Sequence, residues 1–157
     1  MNRAWIEERI PHQGRMCLLD EVIEWDTQHI RCRSATHRDL DNPLRSQHRL
    51  GIACGIEYAA QAMALHGALV AHGAPAAGAA SGAPVDASKI GFLAGVRDVR
   101  PWVSQLDDIE SDLICEAILV AGDGLTAIYE FTLRDALRRL LSGRATILLN
   151  ANGRVRT

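Results

Sequence analysis

Glu57 stands inside the longest uninterrupted apolar stretch of the chain, Ile52 to Ala71 (IACGIEYAAQAMALHGALVA). Ile56, Ala60 and Met63 fall at helical spacing to one side of it, an environment that disfavours an ionised carboxyl and predicts a pKa raised toward neutrality. A carboxylic acid that keeps its proton near pH 7 is a general acid. Gln61 follows four residues later, the spacing at which helical side chains meet, and the other polar groups of the stretch are Tyr58 and His66. On a solvated stripe, Glu57 would be no more than a good helix former. This stretch has almost no polar stripe for it to join.

The elements that must position this acid follow from periodicity. A short helix is expected over Ala4 to Arg9, ended by Pro11. Met16 to Asp26 and the alternating His29 to Ala35 read as a hairpin closed by Asp26-Thr27-Gln28. Thr36 to Leu50, charged and containing Asp41-Asn42-Pro43, reads as a loop leading into the long helix. Gly73 to Ser88 is rich in Gly, Ala, Pro and Ser and reads as a flexible loop within the domain. Four strands are expected after it: Ile90 to Val99, Asp112 to Ala121, Leu125 to Arg134, and a last one ending in Gly143 to Asn150. Gly122-Asp123-Gly124 forms a hairpin turn, and Asp135 to Leu141 reads as a lead-in to the last strand. One long apolar helix beside an antiparallel sheet large enough to cover it predicts an α+β fold with the sheet curled around the helix. Residues 151–157 read as a frayed tail.

Length and charge limit the functions. A chain of 157 residues suits one domain, spanning 1–157. The net charge of −2 is spread without a basic block, and aromatics are scarce, which argues against nucleic acid and anionic membranes as partners. The apolar stretch carries Glu57, Gln61 and His66, so a buried helix is expected rather than a membrane span. MNRAWIEERI lacks the apolar core of a signal peptide, which leads to the expectation of a cytoplasmic protein. Cys17, Cys32, Cys54 and Cys115 are too widely spaced for a zinc site and read as reduced, mostly buried thiols, and no metal is expected.

Three motifs carry a resemblance. Ile10-Pro11-His12-Gln13-Gly14-Arg15-Met16-Cys17-Leu18-Leu19-Asp20 resembles the Leu-Pro-His-Arg and Leu-Leu-Asp opening of the hotdog-fold 3-hydroxyacyl-acyl-carrier-protein dehydratases. Gly55-Ile56-Glu57-Tyr58-Ala59-Ala60-Gln61-Ala62-Met63 resembles the helix that carries their acid, and Gly143-Arg144-Ala145-Thr146 is similar to their final strand. The Gly-Ile-Glu-Tyr-x-Ala-Gln form is similar to the dehydratase-like proteins of aryl polyene and related fatty-acid-like clusters. The resemblance implies a hotdog fold and loss of water from a 3-hydroxyacyl thioester on acyl-carrier protein, without a cofactor. A histidine would take the α-proton and Glu57 would protonate the departing hydroxyl. Gln61 would orient the carboxyl or a water, and Gly55 at the helix start would polarise the thioester carbonyl through its backbone N–H. Tyr58 joins Gly55 and Gln61 among the expected substrate contacts.

The chain departs from common members in its histidine. Their Gly-His-Phe-Pro-Gly stretch is missing, and Asn42 to Gly51 stands in its place. His12, in the opening motif, and His48, in that loop, are the two candidate bases; His66 reads as a core or interface residue, and His29, His37 and His72 as exposed. The resemblance also implies pairing with an identical or different hotdog subunit, which would cover an open sheet edge. An arginine face from Arg97, Arg100, Arg138 and Arg139 would suit an acidic carrier protein, although scattered solubilising charge accounts for it as well. Two other functions fit the motifs. In a hotdog thioesterase Glu57 would activate water and need no histidine. A non-catalytic hotdog subunit would pair with an active dehydratase.

Overall fold

The computed structural model describes residues 1–71 and 91–149. His72, the expected loop at 73–88 and the expected tail at 151–157 lie outside the described residues. Among these residues two helices, α1 (Arg3–Glu7) and α2 (Gly55–Ala71), accompany six strands: β1 (Glu21–Trp25), β2 (His29–Ser34), β3 (Phe92–Pro101), β4 (Leu113–Gly122), β5 (Thr126–Arg134) and β6 (Arg139–Leu148). The strands form one antiparallel sheet in the order β1-β2-β4-β5-β6-β3.

α2 lies across this sheet and packs on β2, β4 and β5. Alternation makes that possible, since successive side chains of a strand point to opposite faces. In β5, Ala127, Tyr129, Phe131 and Leu133 are buried, and the residues between them are only partly so. They meet Tyr58, Ala59, Ala62, Met63, Leu65 and Leu69 of α2 in one core. Each large apolar side chain so buried contributes about 1.5–3 kcal/mol. Gly55 permits the close start of the helix, because a Cβ there would come within 2.9 Å of the Cδ2 atoms of Leu133 and Leu141.

The turns are held by aspartates. Asp26 Oδ1 accepts the N–H of Gln28 at 2.7 Å and of His29 at 2.9 Å, closing the β1–β2 hairpin. Asp123 Oδ1 does the same for Leu125 and Thr126 between β4 and β5, with Gly124 at φ +84°. Asp135 binds the N–H groups of Leu137 and Arg138, so the expected lead-in is a tight turn and β6 begins at Arg139.

Several boundaries differ from the sequence expectation, α2 among them, which begins at Gly55 after a 3-10 turn over Ile52–Cys54. α1 ends at Glu7 instead of Arg9. The first strand begins at Glu21, not Met16, because side chains hold the preceding backbone in place of a neighbouring strand. Arg3 donates to the carbonyls of Gly14 and Cys17, Gln61 donates to that of Met16, and the hydroxyls of Ser34 and Thr36 donate to that of Leu18. A one-turn 3-10 helix, Gly14–Met16, forms there, with Gly14 at φ +57°. This side-chain-held segment carries His12 up to the start of α2.

β3 occupies the sheet edge beside β6 and is exposed along its whole length. Phe92 is 56% exposed, and Leu93, Val96 and Val99 are open as well.

Candidate active site

Glu57 is the third residue of α2 and the acid of its first turn, where the positive helix end favours a carboxylate. Its Oε1 lies 3.2 Å from His12 Nε2 and accepts a hydrogen bond from Gln61 Nε2 at 3.0 Å. Both bonds fall on the same oxygen. Among the described residues nothing bonds Oε2, which leaves it for a substrate or a water.

Gln61 is completely buried and uses both ends of its amide. Nε2 also donates to the Met16 carbonyl at 2.7 Å, and Oε1 accepts from the Leu18 N–H at 2.9 Å. One side chain therefore positions the carboxyl and fastens the His12 segment to the helix. Pro11, with its fixed φ, brings His12 into that segment. His12 Nδ1 is buried without a hydrogen-bond partner among the described residues.

The expected raised pKa of Glu57 is corrected by this geometry. Burial is the largest single influence and pushes the carboxyl up, but the hydrogen bonds from His12 and Gln61, together with the charge of His12, bring it below the ordinary glutamate value. In the free protein Glu57 is a carboxylate. The helical spacing showed the apolar neighbours of Glu57, and the histidine that overrides them comes from another segment.

The remaining candidates are placed differently. His48 is exposed in a two-residue turn, with Gln47 at φ +50° and His48 at φ +66°, closed by two backbone bonds between Ser46 and Arg49. It makes no contact with Glu57, so the structure assembles the acid with His12 and not with His48. Tyr58 is fully buried, and its hydroxyl bonds the Thr36 hydroxyl at 3.0 Å and accepts from Asn42 Nδ2 at 3.1 Å. It braces the loop after β2 and has no surface to offer a substrate. The Gly55 N–H donates back into the 3-10 turn Ile52–Cys54 that runs into α2, so it is not free to polarise a carbonyl. His37, expected to be exposed, is completely buried and bonds the Ile109 carbonyl through Nε2 at 2.9 Å. Thr36 and Asn42 had no spacing signal that could have marked them. Among the described residues no three His, Cys, Asp or Glu side chains converge as a metal site. No helix among them is long and apolar enough to cross a membrane.

A helical Glu paired with a histidine from the opening motif, on a sheet curled around one helix, invites comparison with known proteins. The model of the ApeP-like family, described as ApeP dehydratase, matches residues 4–153. The chain belongs to the ApeP-like dehydratase family. Among solved structures, this ApeP-like chain is similar to the dehydratase heterocomplex ApeI:P from Xenorhabdus doucetiae, at 25% identity and a TM-score of 0.73, over 92% of this chain and 90% of that one. More distant likenesses share the hotdog fold alone. The protein smu.793 from Streptococcus mutans, bound to acetyl CoA, is 9% identical at a TM-score of 0.57, over 82% of this chain and 86% of that one. A mutant of the thioesterase PA1618 from Pseudomonas aeruginosa is 11% identical at a TM-score of 0.56, over 83% and 80%. A search of curated protein sequences returns no match.

Proposed function

We propose that this ApeP-like chain dehydrates 3-hydroxyacyl thioesters carried on acyl-carrier protein to trans-2-enoyl thioesters, in a fatty-acid- or aryl-polyene-type biosynthesis. The observation that carries the reading is the 3.2 Å contact between His12 and Glu57 in a chain of a dehydratase family. His12 takes the proton from Cα as that C–H bond breaks. The Cβ–O bond then breaks with the proton of the Glu57 carboxyl passing to the leaving oxygen, and the double bond forms between Cα and Cβ as water departs.

The resting carboxylate fits this sequence of events. Both side chains are about one-third exposed, at 27% for His12 and 32% for Glu57, so a bound acyl thioester removes water from both. Desolvation, already the largest influence on Glu57, then grows and favours the protonated carboxyl that the elimination needs. Elimination leaves the Cα proton on His12 and Glu57 again a carboxylate, the form it holds in the free protein. The Oε2 atom, unbonded by described residues, is the one that reaches the substrate.

A second hotdog subunit, identical or different, belongs to this reading. The exposed apolar side chains of β3 at the sheet edge support it, since an unpaired edge of this kind is a pairing surface. The Xenorhabdus heterocomplex adds weight to a different partner. Arg97 and Arg100 on β3, free of ion pairs among the described residues, suit an acidic carrier protein docked near that edge.

One observation favours a thioesterase instead. A carboxylate with one unbonded oxygen is also suited to activate water against the thioester. The test is to offer 3-hydroxyacyl-carrier protein to the purified protein, alone and with a second hotdog subunit, and to follow the mass of the acyl chain. Loss of one water that disappears in Glu57→Gln supports the dehydratase. Free acid as the product would replace it with the thioesterase, and no turnover in either setting would leave a non-catalytic subunit.

A further inference from the structure

Every described arginine but three has a carboxylate oxygen within 3.8 Å. The exceptions, without such a partner among the described residues, are Arg97 and Arg100 of β3 and Arg139, the first residue of β6. β3 and β6 are neighbours, so the unpaired charge collects at one edge of the sheet.

The register of β3 on β6 decides which way these charges point. Leu141, Gly143 and Ala145 are buried and mark the inner face of the sheet, so Ser142 and Arg144 between them mark the outer one. Arg97 stands opposite Arg144 and Arg100 opposite Ser142, which puts both on the outer face. In an unbroken strand, residues three apart point to opposite faces. Here a bulge intervenes, in which Asp98 and Val99 together stand against Gly143, with Asp98 at φ +54°. The bulge turns Arg100 to the side of Arg97. Leu93 and Val96 stand opposite the buried Ile147 and Ala145 and keep to the inner face. β3 is therefore apolar on one face and basic on the other.

Trp102 follows the strand and donates its backbone N–H to the Leu140 carbonyl at 2.9 Å. It is 48% exposed, and the Arg139 guanidinium sits 5.4 Å from its ring centroid. A half-open tryptophan among unpaired arginines has the composition of an interface centre. The same stretch runs on to the acid. The Ser104 carbonyl accepts the N–H of Ile52 at 3.0 Å, in the turn that leads into α2 and Glu57.

We propose that Arg97, Arg100, Trp102 and Arg139 form the docking surface of the acyl-carrier protein, which lays its acidic side on the outer face of this sheet edge. The inference rests on the acyl-thioester reading of the site. Pairing of β3 with a second hotdog subunit uses the free backbone groups of the strand and its inner apolar side chains, so the outer face stays open to the carrier. Carboxylates of the carrier supply the partners that the three guanidinium groups lack within the chain.

The test is fluorescence anisotropy of labelled acyl-carrier protein without its pantetheine arm, titrated with the purified protein. Leaving out the arm separates this surface from Glu57. Arg97→Ala, Arg100→Ala and Arg139→Ala each weaken binding about two- to fivefold, the size of an exposed charge pair. Trp102→Ala weakens it at least about tenfold, and Arg100→Glu more than Arg100→Ala. Raising the salt from about 0.05 M to about 0.5 M weakens the wild type and affects Arg100→Glu less. Arg33→Ala, which removes an arginine already paired with Asp112, binds like the wild type. Variants of the four residues that keep the wild-type melting temperature and bind the carrier undiminished would overturn the proposal. So would a wild type that does not bind it, or that binds an unrelated acidic protein or anionic vesicles equally well. Binding is read without turnover, so a protein that docks the carrier here and dehydrates nothing supports this surface and counts against the dehydratase reading alone.

Discussion

Gln61 and Glu57 share one hydrogen bond, 3.0 Å from Nε2 to Oε1, and the same Gln61 amide holds the backbone of the segment that brings His12 to that carboxyl. The acid, its partner and their support are therefore one mechanical unit. In Gln61→Ala the buried Leu18 N–H and the Met16 carbonyl lose their partners, at a cost of about 2–4 kcal/mol in unfolding free energy. Urea denaturation measures it. A loss below about 1 kcal/mol would mean that the segment is held by other contacts.

Paired residues should also fail together. Under the dehydratase reading, Glu57→Gln and His12→Ala each lower single-turnover dehydration by about 10²–10⁴-fold. The double variant is little worse than the poorer single one, because the elimination needs both side chains. Multiplying effects would show that the two side chains act independently.

The lowered pKa of Glu57 has a signed consequence for stability. A carboxyl whose pKa is lower in the folded chain stabilises fully above its unfolded value and loses that contribution as pH falls through the folded one. The contribution of Glu57 is therefore complete above its ordinary value of 4.5 and declines below it. Glu57→Gln has no such contribution, so its melting temperature approaches that of the wild type as pH is taken from about 6 to about 3. A gap between the two proteins that stays constant with pH would contradict the pairing with His12.

At the helix start, Gly55→Ala sets a methyl group 2.9 Å from the ends of Leu133 and Leu141. Overpacking costs about 1–3 kcal/mol, and the better helix propensity of alanine offsets about 1 kcal/mol of that. Thermal unfolding should show a net loss, with a lower activity if Glu57 moves with the helix. A more stable variant would mean that the two leucines relax without cost.

β3 offers the plainest test of assembly. Val96 is 39% exposed in the single chain, so Val96→Asp barely changes the stability of the fold. It should abolish association through this edge, seen as a monomer by sedimentation or as failure to co-purify with a second hotdog subunit. An unchanged assembly would place the interface elsewhere.

Much of the architecture was legible because it rests on periodicity. Alternation marked β2 and β5, Asp and Gly marked their turns, and the apolar stretch marked α2 and set Glu57 and Gln61 one turn apart. The start of β1 was not legible. Residues 16–20 have strand-forming side chains, but their backbone is claimed by Arg3, Gln61, Ser34 and Thr36, whose reach no local pattern encodes.

The candidate site divides along the same line. The sequence by itself determined that an acid and a glutamine share one helix face, since helical geometry alone requires it. Only the tertiary structure decided that His12 meets the acid while His48 turns away in a left-handed bend, and that Tyr58 is a brace. It also decided the ionisation of Glu57. Local spacing counts the apolar neighbours that desolvate a carboxyl and the glutamine one turn on, but the histidine that tips the balance arrives from a segment distant in sequence, and only packing brings it within reach.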